Sequence, residues 1–323
     1  MSGIWIVIEE RDGRVSRISW EAVAAGQKLA ALTGQPANAI VLGAQTESLA
    51  AEIASKALAK VVRIEHSLLA AYTADGFTLA LEQLIAAEKP DYVVFPHTYQ
   101  VRDYAPKLAA RLGQVLIGDV TAIADGPLFT RQLMQGRLNG SYRHSGNGPC
   151  FISVQAGAFR PDDIQPGAAA VTVFTPTISP AQIRTRPSER FRSAAQTVDL
   201  GAAQRIIGVG RGIKDAANLP LVQELATALD AELGASRPIC DNGWLPMERQ
   251  IGSSGQTIAP RLYLALGISG AIQHLVGIKG SQCVVAVNKD PGAPIFESAD
   301  YGIVGDLMEV VPALTEAVKA ARQ

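Results

Sequence analysis

Short apolar runs alternate with amphipathic stretches along most of the chain. "GIWIVIE" (3–9), "NAIVLG" (38–43), "VVRIE" (61–65) and "DYVVFPH" (91–97) have the length and β-branched content of strands. Between them, "SWEAVAAGQKLAALTG" (19–34), "ESLAAEIASKALAK" (47–60), "LLAAYTADGFTLALEQLIAAEKP" (68–90) and "YQVRDYAPKLAARLG" (99–113) space their apolar residues as helices do. Ser19 is placed to cap the first helix and Gly34 to end it, and the third is expected to break near Gly76. Strands apolar throughout, separated by such helices, predict a parallel sheet covered on both faces. From about 118 to 175 the pattern changes. "DVTAIA", "LFTRQLM", "RLNGSYR", "CFISVQ" and "AVTVFTP" are short runs between Gly, Pro and Asn turns, and predict antiparallel or edge strands added to that sheet.

"SPAQIRTRPSERFRSAA" (179–195) is polar and Arg-rich, and it breaks the pattern. It predicts a boundary between an N-terminal α/β domain, 1–190, and a C-terminal domain, 196–323. Its arginines read as a solvated linker or as a contact with a partner subunit. The alternation then restarts. "RIIGVG" (205–210), "LYLALG" (262–267), "CVVAVN" (283–288) and "GIVG" (302–305) read as strands. "NLPLVQELATALDAEL" (218–233), a short stretch at 270–278 and "PALTEAVKAAR" (312–322) read as helices. In the first of these helices Asn218 is the expected cap, Gly234 follows the end, and Val222, Leu225, Ala226, Leu229 and Leu233 make one apolar stripe. The fold class is therefore α/β, with two domains of largely parallel sheet and the second doubly wound and Rossmann-like.

Composition narrows the partners. The chain has 323 residues, 48% hydrophobic and 18% charged, which suits a folded protein large enough for two domains. A net charge of −1 without a Lys/Arg track argues against nucleic acid. No stretch is long enough for membrane insertion, and "SGIWIVIEE" is too short and acidic for a signal peptide. Cys150, Cys240 and Cys283 are far apart and form no CxxC, as expected of reduced thiols in a cytoplasmic protein.

Ligands of an open parallel sheet bind beyond the carboxyl ends of its strands. In the second half those positions are Gly210-Arg211-Gly212, Ser236-Arg237, Ser269-Gly270, Asn288-Lys289-Asp290 and Gly305-Asp306. Small residues, two arginines and hydrogen-bonding side chains suit a phosphate-bearing nucleotide. Each has an ordinary reading beside it: "GVGRG" (208–212) as a tight turn, "IGSSG" (251–255) as a polar loop, His274 as a structural histidine. "GISGA" (267–271) is not a GxSxG nucleophile elbow, the four histidines lack metal-ligand spacing, and no GxxxxGK[ST] is present. A nicotinamide enzyme would need the full GxGxxG and an acidic residue about 20 positions later, near Asp230.

From Arg205 onward the sequence closely resembles the alpha subunit of electron-transfer flavoproteins. The match is carried by "GRG" (210–212), "GASRP" (234–238), "QIGSSGQTIAPRLYLALGISGAIQHLVGIKGS" (250–281) and "VVAVNKDPGAPIFESADYGIVGDLMEVVPAL" (284–314). The first half fits the family more loosely. The resemblance implies an electron carrier rather than a classical enzyme, with FAD held mainly by the second domain. It implies a heterodimer with a beta subunit that carries electrons from flavoprotein dehydrogenases to an acceptor such as a membrane quinone oxidoreductase. An alternative within the family is a bifurcating flavoprotein that oxidises NADH with a second FAD in the partner chain.

Residue by residue, the resemblance implies FAD contacts at Arg211, Ser236, Arg237, Ile251, Gly252, Ser253, Ser254, Ser269, Gly270, Ala271, Ile272, Gln273, His274, Asn288, Asp306 and Leu307. No catalytic acid, base, nucleophile or metal is implied. Ser269 is expected to cap a helix starting near Gly270, with the pyrophosphate or ribityl chain of FAD against its N-terminus and Gly270 small to admit the ligand. Arg237 and His274 are expected near the flavin edge that gains negative charge on reduction. Where the family reads Gly-Gln-Thr-Gly, this chain has Gly252-Ser253-Ser254-Gly255, which keeps the hydroxyl at 254 expected to bond flavin N5 and loses the amide at 253.

Overall fold

The computed structural model describes residues 3–134, 136–188, 200–201 and 203–321. The chain divides into two compact units, Met1–Arg190 and Phe191–Gln323. The first contains β1 (Ile4–Ile8), a small hairpin of β2 (Glu10–Arg11) and β3 (Arg14–Val15), α1 (Arg17–Thr33), β4 (Ala37–Gly43), α2 (Glu47–Ala54), β5 (Lys60–Glu65) and α3 (Ala74–Glu88). It continues through β6 (Tyr92–Pro96), α4 (Tyr99–Leu112), β7 (Leu116–Ala124), β8 (Leu128–Leu133), β9 (Leu138–Tyr142), β10 (Cys150–Val154) and β11 (Ala170–Phe174). Nine strands form one sheet in the order β11-β5-β4-β1-β6-β10-β7-β8-β9. Strand β1 is buried at all five positions, because one face packs under α1 and α2 and the other under α3 and α4.

Local chemistry moves several expected boundaries. The cap of α1 is Ser16, whose side chain accepts from Ser19 N–H; Ser19 instead bonds the backbone of Glu9. Helix α2 ends at Ala54, six residues earlier than its apolar spacing suggests. The break in the third helical stretch falls before Thr73, which caps α3 by accepting from Gly76 N–H. Strand β10 departs most from expectation. It is neither antiparallel nor an edge: it runs parallel to β6 and β7 and is fully buried. Strand β11 is an edge, parallel to β5, and within the nine-stranded sheet antiparallel pairing is confined to β7, β8 and β9.

The segment after β11 is partly tied down. Arg184 donates from its backbone N–H and its guanidinium to Asp75, a carboxylate that Lys107 also meets and that these donors hold well below the usual range. Arg184 is therefore anchored while its side chain stays largely in solvent, whereas 189–199 lie outside the described residues.

Glu21, buried on α1, accepts from Gly157 N–H at 2.5 Å, and burial still pushes its carboxyl up to about 7. The folded chain then binds a proton there that the unfolded chain releases above about 4.5. Stability contributed by this group falls as pH rises through the window from 4.5 to 7. Glu21→Gln is expected to raise stability at pH 8 by up to roughly 3 kcal/mol and to change little at pH 4. Urea melts of both proteins at the two pH values check this; equal shifts at both would contradict it.

The second unit contains β12 (Arg205–Val209), α5 (Leu219–Leu229), β13 (Glu232–Ala235), α6 (Arg237–Asp241), β14 (Leu262–Leu266), α7 (Ile272–Ile278), β15 (Val284–Asn288), β16 (Tyr301–Val304) and α8 (Leu307–Ala321). Its five strands are all parallel, in the order β13-β12-β14-β15-β16. Ile207, Val209, Leu264 and Leu266 face a core shared with α5 and α8. Ile206, Tyr263, Ala265 and Ala286 face a second core closed by Ile251, Ile258 and Ile278. Helix α5 stops four residues before the expected end, at an Asp230 cap with φ 51°, and Leu233 is buried from β13 rather than from the helix. Asn218 does not cap with its side chain, which donates to the Ile213 carbonyl. Helix α8 begins five residues before Pro312, because Asp306 accepts from Met308 N–H.

Candidate functional site

From β12 the chain passes to β13 on one side of the sheet, then crosses to β14 on the other. Such a switch point opens a crevice between two outgoing loops. Here the loops touch through their backbones. Gly210 N–H donates to the Leu266 carbonyl at 2.8 Å, and Gly212 N–H to the Gly267 carbonyl at 3.0 Å. A Cβ on Gly210 would lie 2.3 Å from the Gly267 oxygen. Gly210 and Gly212 of "GVGRG" are thus required by the crossing of two loops.

Above this crossing lies a cavity of about 700 Å³. Thirteen of the sixteen residues implied by the resemblance line it. They come from every strand end: Arg211 after β12; Ser236 and Arg237 after β13; Ser269, Ala271, Gln273 and His274 after β14; Asn288 after β15; Asp306 and Leu307 after β16. Ile251, Gly252 and Ser254 arrive on a turn that extends from β13, where Ile251 N–H donates to the Ala235 carbonyl. Ser253, Gly270 and Ile272 are not in the lining. Ser253 N–H is taken by the Gln273 carbonyl at 2.8 Å, and Ile272 is exposed.

The expected role of Ser269 and Gly270 needs correction. Helix α7 begins at Ile272 with Ala271 at its N-cap, so Ser269 caps nothing. Gly270 has φ 88°, and a Cβ there would meet Ile295 N at 2.3 Å. What comes close is the chain's own backbone, since Ile295 N–H donates to the Ser269 carbonyl at 3.1 Å. The residues overlooked include Gln250, Lys214, Ala293 and Pro294, which also line the cavity. They lie beyond the first residues after a strand, so no strand-end rule reaches them.

The profile of the electron transfer flavoprotein domain matches residues 4–179, and that of the electron transfer flavoprotein FAD-binding domain matches 199–279. The electron transfer flavoprotein subunit alpha of Bacillus subtilis is 39% identical, covering 96% of this chain and 95% of its own. That of Thermoanaerobacterium thermosaccharolyticum is 36% identical, covering 98% and 97%. The acryloyl-CoA reductase electron transfer subunit beta of Anaerotignum propionicum is 34% identical, covering 99% and 96%. The chain belongs to the electron transfer flavoprotein alpha-subunit family.

An alpha subunit of this family has a FAD-binding domain, and the cavity's chemistry fits that cofactor. Its lining carries four cations, Arg211, Lys214, Arg237 and Lys289, against two carboxylates, Asp290 and Asp306. That surplus suits a diphosphate. Lys214 pairs with Asp306 at 2.8 Å and holds its carboxyl below the usual range, and Arg237 pairs with Asp241 at 3.2 Å. Asn288 stitches two loops, donating to the Ile268 carbonyl and accepting from Asp290 N–H. Two buried atoms in the lining are left without hydrogen-bond partners: Gln250 Oε1 and His274 Nδ1. An orphaned buried polar atom costs about 1–3 kcal/mol, so a ligand that meets both would recover that cost. Burial pushes the His274 imidazole down to about 4, the Ile251 carbonyl opposing it only in part, so the ring is neutral at physiological pH.

Among the described residues no helix is long and apolar enough to cross a membrane.

Proposed function

We propose that the FAD of this alpha subunit occupies the cavity at the switch point of the second unit, held by the sixteen residues that the resemblance implies, with Ser253, Gly270 and Ile272 acting as loop supports. The observation that carries this reading is the pair of orphaned atoms, Gln250 Oε1 and His274 Nδ1, in a cavity with surplus positive charge. Bound FAD supplies the electron-accepting ring. The chain's residues anchor the diphosphate, exclude water and present donors and cations to the ring edge. Ser254, whose hydroxyl accepts from Gln250 Nε2 at 2.9 Å, is the residue we assign to flavin N5.

In this reading the chain works as a heterodimer with a beta subunit in the cytoplasm, taking electrons from flavoprotein dehydrogenases and delivering them to a quinone oxidoreductase or another acceptor. Three unpaired cysteines support the compartment. Expressed alone, the chain should aggregate or lose flavin; with a beta subunit it should elute as a 1:1 yellow complex. A monodisperse, FAD-loaded single chain on size-exclusion chromatography would contradict this.

A second reading is a bifurcating complex that oxidises NADH with a second FAD in the partner. Its support is the full-length similarity to an acryloyl-CoA reductase electron transfer subunit, together with Ser253 and Ser254 in place of Gln and Thr. Counting FAD and AMP in the purified heterodimer separates the two: one FAD with AMP for the simple carrier, two FAD without AMP for the bifurcating one.

A further inference from the structure

Tyr263 on β14 is completely buried, and its hydroxyl lies 2.7 Å from Nε2 of His274 on α7. The two rings are tilted at 41° with centroids 6.0 Å apart. Space for the phenol is made by the neighbouring strand. A Cβ on Gly208 of β12 would lie 1.8 Å from the Tyr263 hydroxyl, so the phenol fills the place of a side chain. A hydroxyl inserted this deeply into a sheet needs a partner, and His274 is the one it has.

The direction of that hydrogen bond follows from counting what each alternative strands. If the phenol donates, Nε2 is the acceptor and the neutral ring carries its proton on Nδ1, leaving one group outside hydrogen-bond geometry, the Nδ1–H, with the Ile251 carbonyl nearby but completing no bond to it. If Nε2–H donates instead, the buried phenol proton is stranded and so is the Nδ1 lone pair. Each stranded buried group costs on the order of 1–3 kcal/mol, so the first arrangement wins. Burial disfavours the doubly protonated ring, which would otherwise erase the distinction.

We infer that Tyr263 is a positioning residue for the cofactor: its phenol O–H, donating to Nε2 of His274, fixes the imidazole as the Nδ1–H tautomer and so reserves an N–H donor for the flavin. The inference rests on FAD occupying the cavity that His274 lines. Its consequence is that the donor stands ready before the cofactor arrives. An imidazole without this partner would divide between tautomers, and the binding-competent fraction would fall.

The test uses the full chain with its co-expressed beta subunit, carrying ¹⁵N-labelled histidine. Only four histidines are present, and His274→Gln assigns the signal of interest. In the wild type, FAD-free and FAD-loaded, the ring nitrogen shifts should report a protonated Nδ1 and a bare Nε2. In Tyr263→Phe the FAD-free protein should gain the Nε2–H form, FAD should bind at least about twofold more weakly, and the flavin's midpoint potential should shift. Phenylalanine keeps the packing, so a purely structural tyrosine would leave the tautomer unchanged. A wild-type ring protonated on Nε2 overturns the inference even if the variant does not fold. So does a Tyr263→Phe protein with unchanged tautomer and affinity. A protein that takes up no FAD at all would instead sink the reading of the cavity, so the two failures are distinguishable.

Discussion

Gly270→Val should abolish flavin retention. The residue sits at φ 88°, a conformation that costs an L-residue about 1–2 kcal/mol and a β-branched one more. Its new Cβ would fall 2.3 Å from Ile295 N and 2.7 Å from Ile295 Cα. Both are backbone atoms, so no flexible side chain can give way. The bond from Ile295 N–H to the Ser269 carbonyl would be pried open. Overpacking of this kind adds roughly 1–3 kcal/mol. The displaced segments carry Ser269, Ala271, Ala293 and Pro294, all in the cavity lining. The walls of the site therefore move even if the sheet survives. Gly34→Ala is the control. It also has positive φ, at 66°, but nothing lies within 4 Å of the added Cβ, so it should cost only about 1 kcal/mol and keep its flavin. The ratio of visible flavin absorbance to protein checks both. A yellow Gly270→Val protein with full flavin content would show that the loop between β14 and α7 does not shape the cofactor's site.

Arg237→Ala should lower the flavin's reduction potential and leave FAD bound. Arg237 opens α6 at the rim of the cavity, with its side chain 68% exposed and paired to Asp241 four residues on. An exposed pair of this kind contributes little to stability, so its loss should not unfold the unit. Its electrostatic effect is larger. Reduction brings negative charge onto the ring, and a fixed cation nearby favours the reduced form. Removing it also leaves the Asp241 carboxylate without its partner, which pushes in the same direction. The expected shift corresponds to about 1–3 kcal/mol, toward the lower end because solvent screens the group. Arg237→Lys should recover part of the shift, and raising the salt concentration should shrink it. Unchanged potentials in a spectroelectrochemical titration would remove Arg237 from the flavin's surroundings.

Most of the architecture is legible in the sequence because apolar strands and amphipathic helices differ in period. The misreadings have identifiable causes. "LDAEL" keeps an i, i+4 spacing between Leu229 and Leu233 across a helix end and a strand, so the apolar pattern runs α5 on into β13. Asp230 tolerates the left-handed conformation that ends the helix and gives no Gly or Pro signal. Pro312 mimics a first helical turn, while the true start is set by Asp306. The place of β10 between β6 and β7 is a non-local pairing, which no local pattern records. At the cavity, the strand-end rule and the resemblance agree on Arg211, Ser236, Arg237, Ser269, Gly270, Asn288 and Asp306. Gly270 shows the limit of both: a small residue near a ligand site can be small because two stretches of backbone meet there. Gln250 escapes the strand-end rule because its buried side chain reaches the cavity from a turn outside the sheet.

The claim on which the rest depends is that FAD lies over the crossing of the loops after β12 and β14. The most direct measurement is a crystal structure of the yellow complex purified with its beta subunit. Flavin density is expected in the cavity lined by Arg211, Gln250, Ser269 and His274, with His274 Nδ1 and Gln250 Oε1 no longer orphaned. Flavin density elsewhere, with this cavity holding only water and those two atoms still unpaired, would contradict it.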